Sequence, residues 1–100
     1  MPELWTLGIV VTTYSFIRAR PLRVTGFQHS GWNAAEDSDP SGRELPFDFS
    51  VTDDGAGQFL LVYKSVDGSL YGDTWHETLD DAFTSAERQF GISREEWPDA

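Results

Sequence analysis

The sequence predicts an α+β domain, in which a twisted, mostly antiparallel sheet of about five strands carries one C-terminal helix on one face. Two observations lead to this class. Five segments rich in β-branched and aromatic residues follow one another with no helical pattern between them, which favours antiparallel pairing. One stretch near the end, residues 78–91, has apolar residues at helical spacing. The length of 100 residues fits a single domain over residues 1–100.

The first two predicted strands lie at the start of the chain. Residues 4–17, LWTLGIVVTTYSFI, are apolar on both faces, which is typical of a long, central and largely buried strand. In the following RARPLRVTGFQHS, the phase of the apolar positions changes near Gly26, and we expect a β-bulge there. Residues 31–44 are polar and rich in turn formers, and they predict a long surface loop.

Three further strands are predicted in the middle of the chain. Residues 45–52 alternate strictly between apolar and polar, so this strand should be half-buried, with Pro46 near its start or on a sheet edge. The turn DDGAG leads into QFLLVYKSV, which has the β-rich composition of another strand. The pair Asp67–Gly68 then predicts a two-residue hairpin turn into the fifth strand, SLYGDTW.

The helix carries signals at both ends. Thr78 is placed to cap its N-terminus, and Gly91 is the left-handed residue expected just after its C-terminus. Its apolar stripe consists of Leu79, Ala82, Phe83, Ala86 and Phe90. Ser93 and Glu96 have the spacing of a second capping box, which predicts one last turn that presents Trp97. A single helix with a single apolar stripe should lie on one face of the sheet.

The charge of the chain is strongly acidic and unevenly distributed. Seventeen acids and seven bases give a net charge of −10. Residues 1–35 carry one acid and three bases, whereas residues 36–100 carry sixteen acids and four bases. Such a surface repels phosphate backbones and attracts basic proteins, so it predicts a basic protein partner and no direct binding of nucleic acid. The alternative is that the charge only keeps the protein in solution.

Several classes of chemistry have no signal in the sequence. The chain has no cysteine, which excludes disulfides, thiolate metal ligands and cysteine nucleophiles. It shows no phosphate-binding glycine motif and no nucleophile motif, so we expect neither a cofactor nor enzymatic activity. The start MPELWTLG lacks the pattern of a leader, and no apolar run reaches the length of a membrane span. We therefore expect a cytoplasmic protein without a membrane partner.

Trp75 and His76 stand directly before the predicted helix. We favour packing as their role: Trp75 would close the junction between the fifth strand and the helix, and His76 would make at most one hydrogen bond. The functional interpretation takes Asp73, Trp75, His76 and Glu77 as an interaction site, or Asp73, His76 and Glu77 as an acid/base cluster. Neighbouring side chains in an extended segment point to opposite sides, which argues against the acid/base cluster.

One segment has the spacing of a calcium-binding loop. Asp37, Asp39, Ser41 and Asp48 occupy positions 1, 3, 5 and 12 of an EF-hand-like pattern. Glu44 stands where that pattern has an apolar residue, and no helix is predicted on either side. We therefore expect a solvated loop and no metal site.

Residues 72–91 also contain D-T-W-H, then T-L-D-D-A, and then F-G. In this respect the stretch resembles the C-terminal part of a family of small uncharacterised bacterial proteins, and the resemblance implies no activity and no catalytic residues. By its size and acidity the chain also resembles toxin-neutralising immunity proteins, although this is a likeness of class alone.

Together these features predict a non-catalytic interaction module, either an immunity-type inhibitor or a nucleic-acid mimic, that binds a basic partner. The alternative is a small-ligand-binding or enzymatic domain with a pocket under the helix or near Trp75 and His76. The two hypotheses predict different surfaces: the first requires a contiguous acidic face, and the second a concave apolar pocket with converging polar groups. The sequence does not predict the oligomeric state.

Overall fold

The computed structural model describes residues 12–98. Its strands are β1 (Thr13–Phe27), β2 (Gly31–Ala34), β3 (Arg43–Asp53), β4 (Phe59–Ser65) and β5 (Tyr71–His76). They are followed by the helix α1 (Leu79–Phe90) and a 3₁₀ turn (Arg94–Glu96). All neighbouring strands pair antiparallel in the order β2–β1–β3–β4–β5. The predicted class, an antiparallel sheet with one C-terminal helix, is confirmed.

Strand β1 joins the two segments that the sequence separated. Residues 4–11 of the first predicted strand lie outside the described residues, and within Thr13–Ile17 only Ser15 is buried. The expectation of a largely buried strand is therefore wrong for this part, because one face of the sheet has no covering layer within residues 12–98. The expected bulge is also misplaced: the pairing with β3 shifts between Ile17 and Arg20, where Ala19 has φ 56°.

Gly26 instead permits a close approach of two backbones. It pairs in regular register with Trp32, and its φ is 90°. A Cβ atom on Gly26 would collide with the carbonyl oxygen of Gly31. The glycine is therefore needed for the hairpin that joins β1 to β2 rather than for a bulge. The predicted loop over residues 31–44 is accordingly wrong in its first part, since Gly31–Ala34 form a strand.

Strand β3 forms the middle of the sheet. Phe47, Phe49 and Val51 are fully buried on one face, as the strict alternation predicted. Pro46 lies near the start of the strand and is not on an edge, because β1 and β4 flank it. Pro46 lies opposite Pro21 on β1. Neither proline has an N–H, so no backbone hydrogen bond between β1 and β3 is lost at this pair.

The hairpin between β4 and β5 forms at Asp67–Gly68, but its loop is longer than predicted. Ser65 N–H donates to the carbonyl oxygen of Leu70, at 2.8 Å, which leaves residues 66–69 in the loop. Gly68 N–H donates back to Ser65 O and has φ 78°. The glycine thus takes the left-handed position of a four-residue loop.

Helix α1 begins and ends as predicted. Thr78 Oγ1 accepts the backbone N–H of Asp81 at 3.1 Å. Gly91 is left-handed, with φ 71°. The buried helix residues are Ala82, Phe83, Ala86 and Phe90. They pack on the β3 face that carries Phe49, and the final turn adds Trp97, which is only 3% exposed.

The sheet curls until its two edge strands meet at one end. Trp32 on β2 donates its Nε1–H to the carbonyl oxygen of Tyr71 on β5, at 3.3 Å. Gln28, in the β1–β2 turn, accepts the N–H of Tyr71 with its side-chain oxygen, at 3.0 Å. These two bonds connect strands that stand at opposite ends of the strand order. The concave side holds α1, and the convex side is uncovered within residues 12–98.

Candidate interaction surface

The surface that stands out is the outer strand β5 and the helix start that follows it. Tyr71, Asp73 and Trp75 alternate along β5 as exposed residues, and the residues between them are half-buried. Trp75 lies opposite Leu60, and Asp73 lies opposite Val62, both on β4. Because paired residues share a face, these side chains lie on the convex side of the sheet, away from α1.

The backbone of β5 offers unused hydrogen-bonding groups on this edge. In an antiparallel pair, hydrogen-bonded and non-hydrogen-bonded positions alternate. Since Ser65 bonds to Leu70, the backbone groups of Tyr71, Asp73 and Trp75 point away from β4. The N–H of Tyr71 donates to the side chain of Gln28, and its carbonyl oxygen accepts the indole N–H of Trp32. The N–H and C=O groups of Asp73 and Trp75 face outward and have no partner among residues 12–98.

The packing interpretation of Trp75 is wrong. Its side chain is 57% exposed, although it stands only four positions before α1. The reason is the face on which it lies: the helix turns onto the concave side, whereas position 75 points to the convex side. Phe59 and Leu79, and not Trp75, pack against the core at this junction.

The acid/base cluster of Asp73, His76 and Glu77, which the sequence offered as an alternative to packing, is not assembled. Asp73 and His76 are three positions apart in a strand and therefore lie on opposite faces. The His76 ring Nε2 lies 2.7 Å from Thr74 Oγ1, on its own face, and Glu77 is exposed at the strand end. The structure thus brings together Asp73 and Trp75 from the four predicted interaction residues and separates His76 from them.

The electrostatic surroundings of this edge are acidic. Residues 65–87 contain six acids and neither lysine nor arginine. The acids are Asp67, Asp73, Glu77, Asp80, Asp81 and Glu87, and all six are exposed. Asp53 and Asp54 stand at the same end of the sheet, because Asp53 is in register with Phe59, and Phe59 with His76. Lys64 is the one base on β4 and lies opposite Tyr71, at the other end of β5 from Trp75, so acids outnumber bases around Trp75.

The candidate calcium ligands do not form a group. Asp39 accepts the N–H and Oγ–H of Ser41, at 2.9 and 2.7 Å, and these bonds lower the pKa of its carboxyl group. Asp48 accepts the N–H of Ala19 at 2.8 Å, on the bulge of β1. Within residues 12–98, no three acidic or histidine side chains are close enough to hold a metal ion. Asp37 is exposed in the loop, and a strand rather than a helix stands on each side of it.

The alternative hypothesis placed a pocket under the helix or near Trp75 and His76, and two cavities bear on it. One, of about 350 Å³, is lined by aromatic rings between β2, β4, β5 and the end of α1. The other, of about 390 Å³, lies on the convex side next to Val62 and Asp73. Neither is lined by Trp75 or His76. Sequence reasoning missed the first because it placed Trp32 in a loop; the glycines at 26 and 31, which frame a hairpin turn, were the available signal.

Comparisons with known proteins identify no relative of this chain. No family model matches the chain, and no curated protein or solved structure resembles it significantly. The likeness of residues 72–91 to small bacterial proteins therefore stays a prediction. Within residues 12–98, no helix is long and apolar enough to cross a membrane.

Proposed function

We propose that this protein is a non-catalytic interaction module, and that its basic protein partner adds an extended segment to the outer edge of β5. The observation that carries the proposal is the position of Trp75. It is a large, 57% exposed ring beside a strand edge on which its own backbone groups and those of Asp73 face outward. A partner strand can bond to that edge and cover the ring at once.

The edge lacks the devices that usually prevent such pairing. Natural edge strands are often protected by lysine, proline or a bulge. Strand β5, with the sequence YGDTWH, contains neither lysine nor proline, and its pairing with β4 runs without a register shift. A regular edge that residues 12–98 leave uncovered, with an exposed tryptophan on it, is a suitable surface for strand addition, and tryptophan is among the residues that most often dominate binding energy.

Charge selects the partner. Six exposed acids and no base between residues 65 and 87 favour a segment rich in lysine or arginine. The same charge disfavours pairing of β5 with a second copy of this chain, because two equally acidic surfaces repel each other. An immunity-type inhibitor is the concrete form that suits strand addition, and a nucleic-acid mimic is the other form of an acidic, protein-binding module. We expect the protein to bind this partner in the cytoplasm, and fractionation of host cells tests whether the protein is found there.

Two synthetic peptides test the mode of binding. The first alternates lysine and valine, and the second alternates lysine and proline with the same number of lysines, so that only the first can add as a strand. We expect the first to bind more tightly and to slow hydrogen exchange at the amides of Asp73 and Trp75. Equal binding of both peptides would reject strand addition and leave only a charge effect. Binding of neither would reject the module as proposed.

Two substitutions at one position separate the backbone from the side chain. Asp73→Asn and Asp73→Pro both remove the charge, but only the proline also removes the outward N–H, and proline is tolerated on strand edges. We expect the proline variant to bind the lysine–valine peptide about threefold or more weakly than the asparagine variant, since one hydrogen bond is lost. Equal affinities of these two variants would contradict docking on the backbone edge.

A further inference from the structure

The aromatic cavity lies at the end of the molecule where the curled sheet closes. Its volume is about 350 Å³, which is within the range of small-ligand sites. It is lined by the aromatic residues Trp32, Tyr63, Tyr71 and Phe90, and by Asn33, Ala34 and Gln89. It shares only Tyr71 with strand β5, so it is separate from the edge at Asp73 and Trp75.

Three of these rings are held at steep angles to one another. The ring centroids of Tyr63 and Phe90 are 4.8 Å apart with an interplanar angle of 61°. Those of Trp32 and Tyr63 are 5.8 Å apart at 79°. Rings in edge-to-face contact do not lie in one plane, so they border the cavity from different directions, as the rings of an aromatic cage do.

The rings are also fixed in place before any ligand binds. The indole N–H of Trp32 is bonded to Tyr71 O. Tyr63 lies against the backbone of Gly72: a Cβ atom at position 72 would be only 2.6 Å from Tyr63 Cε1. Phe90 is 9% exposed and packs on Phe49. A preorganised site avoids much of the cost of ordering side chains on binding.

The electrostatics of the cavity favour a cation. None of its lining residues is charged. Gln89 and Phe90 are the last residues of α1, where the helix dipole is negative. Burial, and secondly the carboxylate of Asp73, raise the pKa of the Tyr63 hydroxyl. Gln89 donates its amide N–H to Ser85 Oγ at 2.6 Å, so its oxygen is left as the acceptor.

We propose that this cavity binds an organic cation of the quaternary ammonium class. Such a cation has apolar methyl groups and no N–H, so it is stabilised by ring faces rather than by hydrogen bonds. A primary ammonium ion is strongly hydrated and would lose that hydration here without a carboxylate to replace it. The group could come from a free small molecule or from a trimethylated lysine of a protein, and both present the same trimethylammonium head. The proposal uses other residues than the strand edge and goes beyond that function.

Choline and its uncharged isostere 3,3-dimethylbutanol test the charge requirement. The two molecules have nearly the same shape, and only choline is a cation. We expect choline to shift the indole N–H signal of Trp32 in a saturable manner in NMR spectra, and the isostere to bind about fivefold or more weakly. N-acetyl-trimethyllysine amide distinguishes the sources: tighter binding than choline indicates a protein side chain, and weaker binding a free molecule. Equal affinities of choline and the isostere, or no shift at Trp32, would overturn the proposal.

A matched pair of substitutions tests the location without touching the buried rings. Gln89→Lys places a positive charge at the cavity, and Thr84→Lys places the same charge at another exposed position of α1. We expect Gln89→Lys to weaken choline binding about fivefold or more, and Thr84→Lys to leave it within about twofold, because an exposed charge at a distance is screened. The same effect from both variants would show that choline only senses the net charge, which contradicts the site.

Discussion

Arg20 and Glu96 lie 76 positions apart in the chain and are joined by two hydrogen bonds, from Nε to Oε1 at 2.7 Å and from Nη2 to Oε2 at 3.1 Å. Arg20 stands next to the bulge of β1, and Glu96 lies in the 3₁₀ turn after α1. Glu96 also accepts the N–H of Ser93 at 3.1 Å, as the predicted capping box requires. The pair thus attaches the last turn, with its buried Trp97, to strand β1 on the face of the sheet that holds α1.

We expect this pair to make a small, measurable contribution to stability. Arg20→Gln and Glu96→Gln should each lower the free energy of unfolding, and a double-mutant cycle should give a coupling of about 0.5–1 kcal/mol. The value is limited because the two side chains are 23% and 38% exposed. Chemical denaturation of the four proteins measures the coupling, which should fall at high salt. A coupling near zero at low salt would mean that the contact between Arg20 and Glu96 does not stabilise the fold in solution.

The pair also gives a pH dependence with a defined sign. The hydrogen bonds from Arg20 are the largest cause that lowers the pKa of Glu96 below its ordinary value. A carboxyl group with a lowered pKa stabilises the fold fully above its unfolded pKa, and loses that effect as the pH falls through the folded pKa. The difference between the parent protein and Glu96→Gln should therefore shrink on acidification below about pH 4.5, the ordinary value for glutamate.

The elements with local signals could be predicted from the sequence. Thr78 and Gly91 mark the two ends of α1 because capping chemistry depends only on neighbouring residues. The bulge at Ala19 could not be predicted, since nothing in its neighbourhood distinguishes it, and its N–H is satisfied by Asp48 from another strand. The short strand β2 at Trp32 could not be recognised from its own composition, because it forms through the turn that follows β1 and pairs it with β1.

The sequence identified Trp75 as a candidate site residue but led to a wrong expectation about its burial. The sequence singled out Trp75, and the alternation of β5 could be read directly from YGDTWH. Alternation does not reveal which of the two faces the helix will cover, and that choice decides whether Trp75 is core or surface. The aromatic cavity could be predicted only in part: the glycines at 26 and 31 indicate the hairpin that carries Trp32, but the closeness of Trp32, Tyr63 and Phe90 depends on the curl of the whole sheet.

The stripe of α1 should account for much of the stability. Phe83 is 5% exposed, and its ring contacts that of Trp97 with centroids 5.3 Å apart. Phe83→Ala should lower the free energy of unfolding by about 3–5 kcal/mol, because it leaves a cavity between helix and final turn. Asp80→Ala is the control: this side chain is exposed on the same helix, and its loss should cost well under 1 kcal/mol. Urea titrations of both variants measure the difference, and equal small losses would contradict the packing.

Asp67 should make the β4–β5 hairpin sensitive to acid. Hydrogen bonds from Ser65 Oγ, and then from the N–H and Oγ–H of Ser69, lower the pKa of its carboxyl group to about 2, against an ordinary value of 3.8. Its stabilising effect is complete above pH 3.8 and is lost as the pH falls towards 2. Asp67→Asn should therefore have a lower Tm than the parent at pH 6, and this difference should decrease between pH 4 and pH 2.

Ser69→Ala provides the graded comparison for that hairpin. It removes one of the donors to Asp67 and keeps the others, so its effect on Tm should have the same sign and be smaller. A Tm difference for Asp67→Asn that does not change with pH would show that the substitution acts through the turn conformation and not through the charge.

Trp97 and Trp75 are expected to serve the fold and the proposed interaction, respectively. Trp97 is 3% exposed and packs on Phe83, whereas Trp75 is 57% exposed on the convex side. Trp97→Ala should therefore lower the free energy of unfolding by about 3–5 kcal/mol, since it opens a large cavity. Trp75→Ala should change it by less than about 1 kcal/mol, and should weaken binding of the lysine–valine peptide about tenfold or more, because an exposed aromatic residue contributes to binding rather than to the core. Thermal melts and peptide titrations of both variants are the measurement. A strongly destabilised Trp75→Ala would restore packing as the role of this residue, and a stable variant with unchanged peptide affinity would remove Trp75 from the interaction surface.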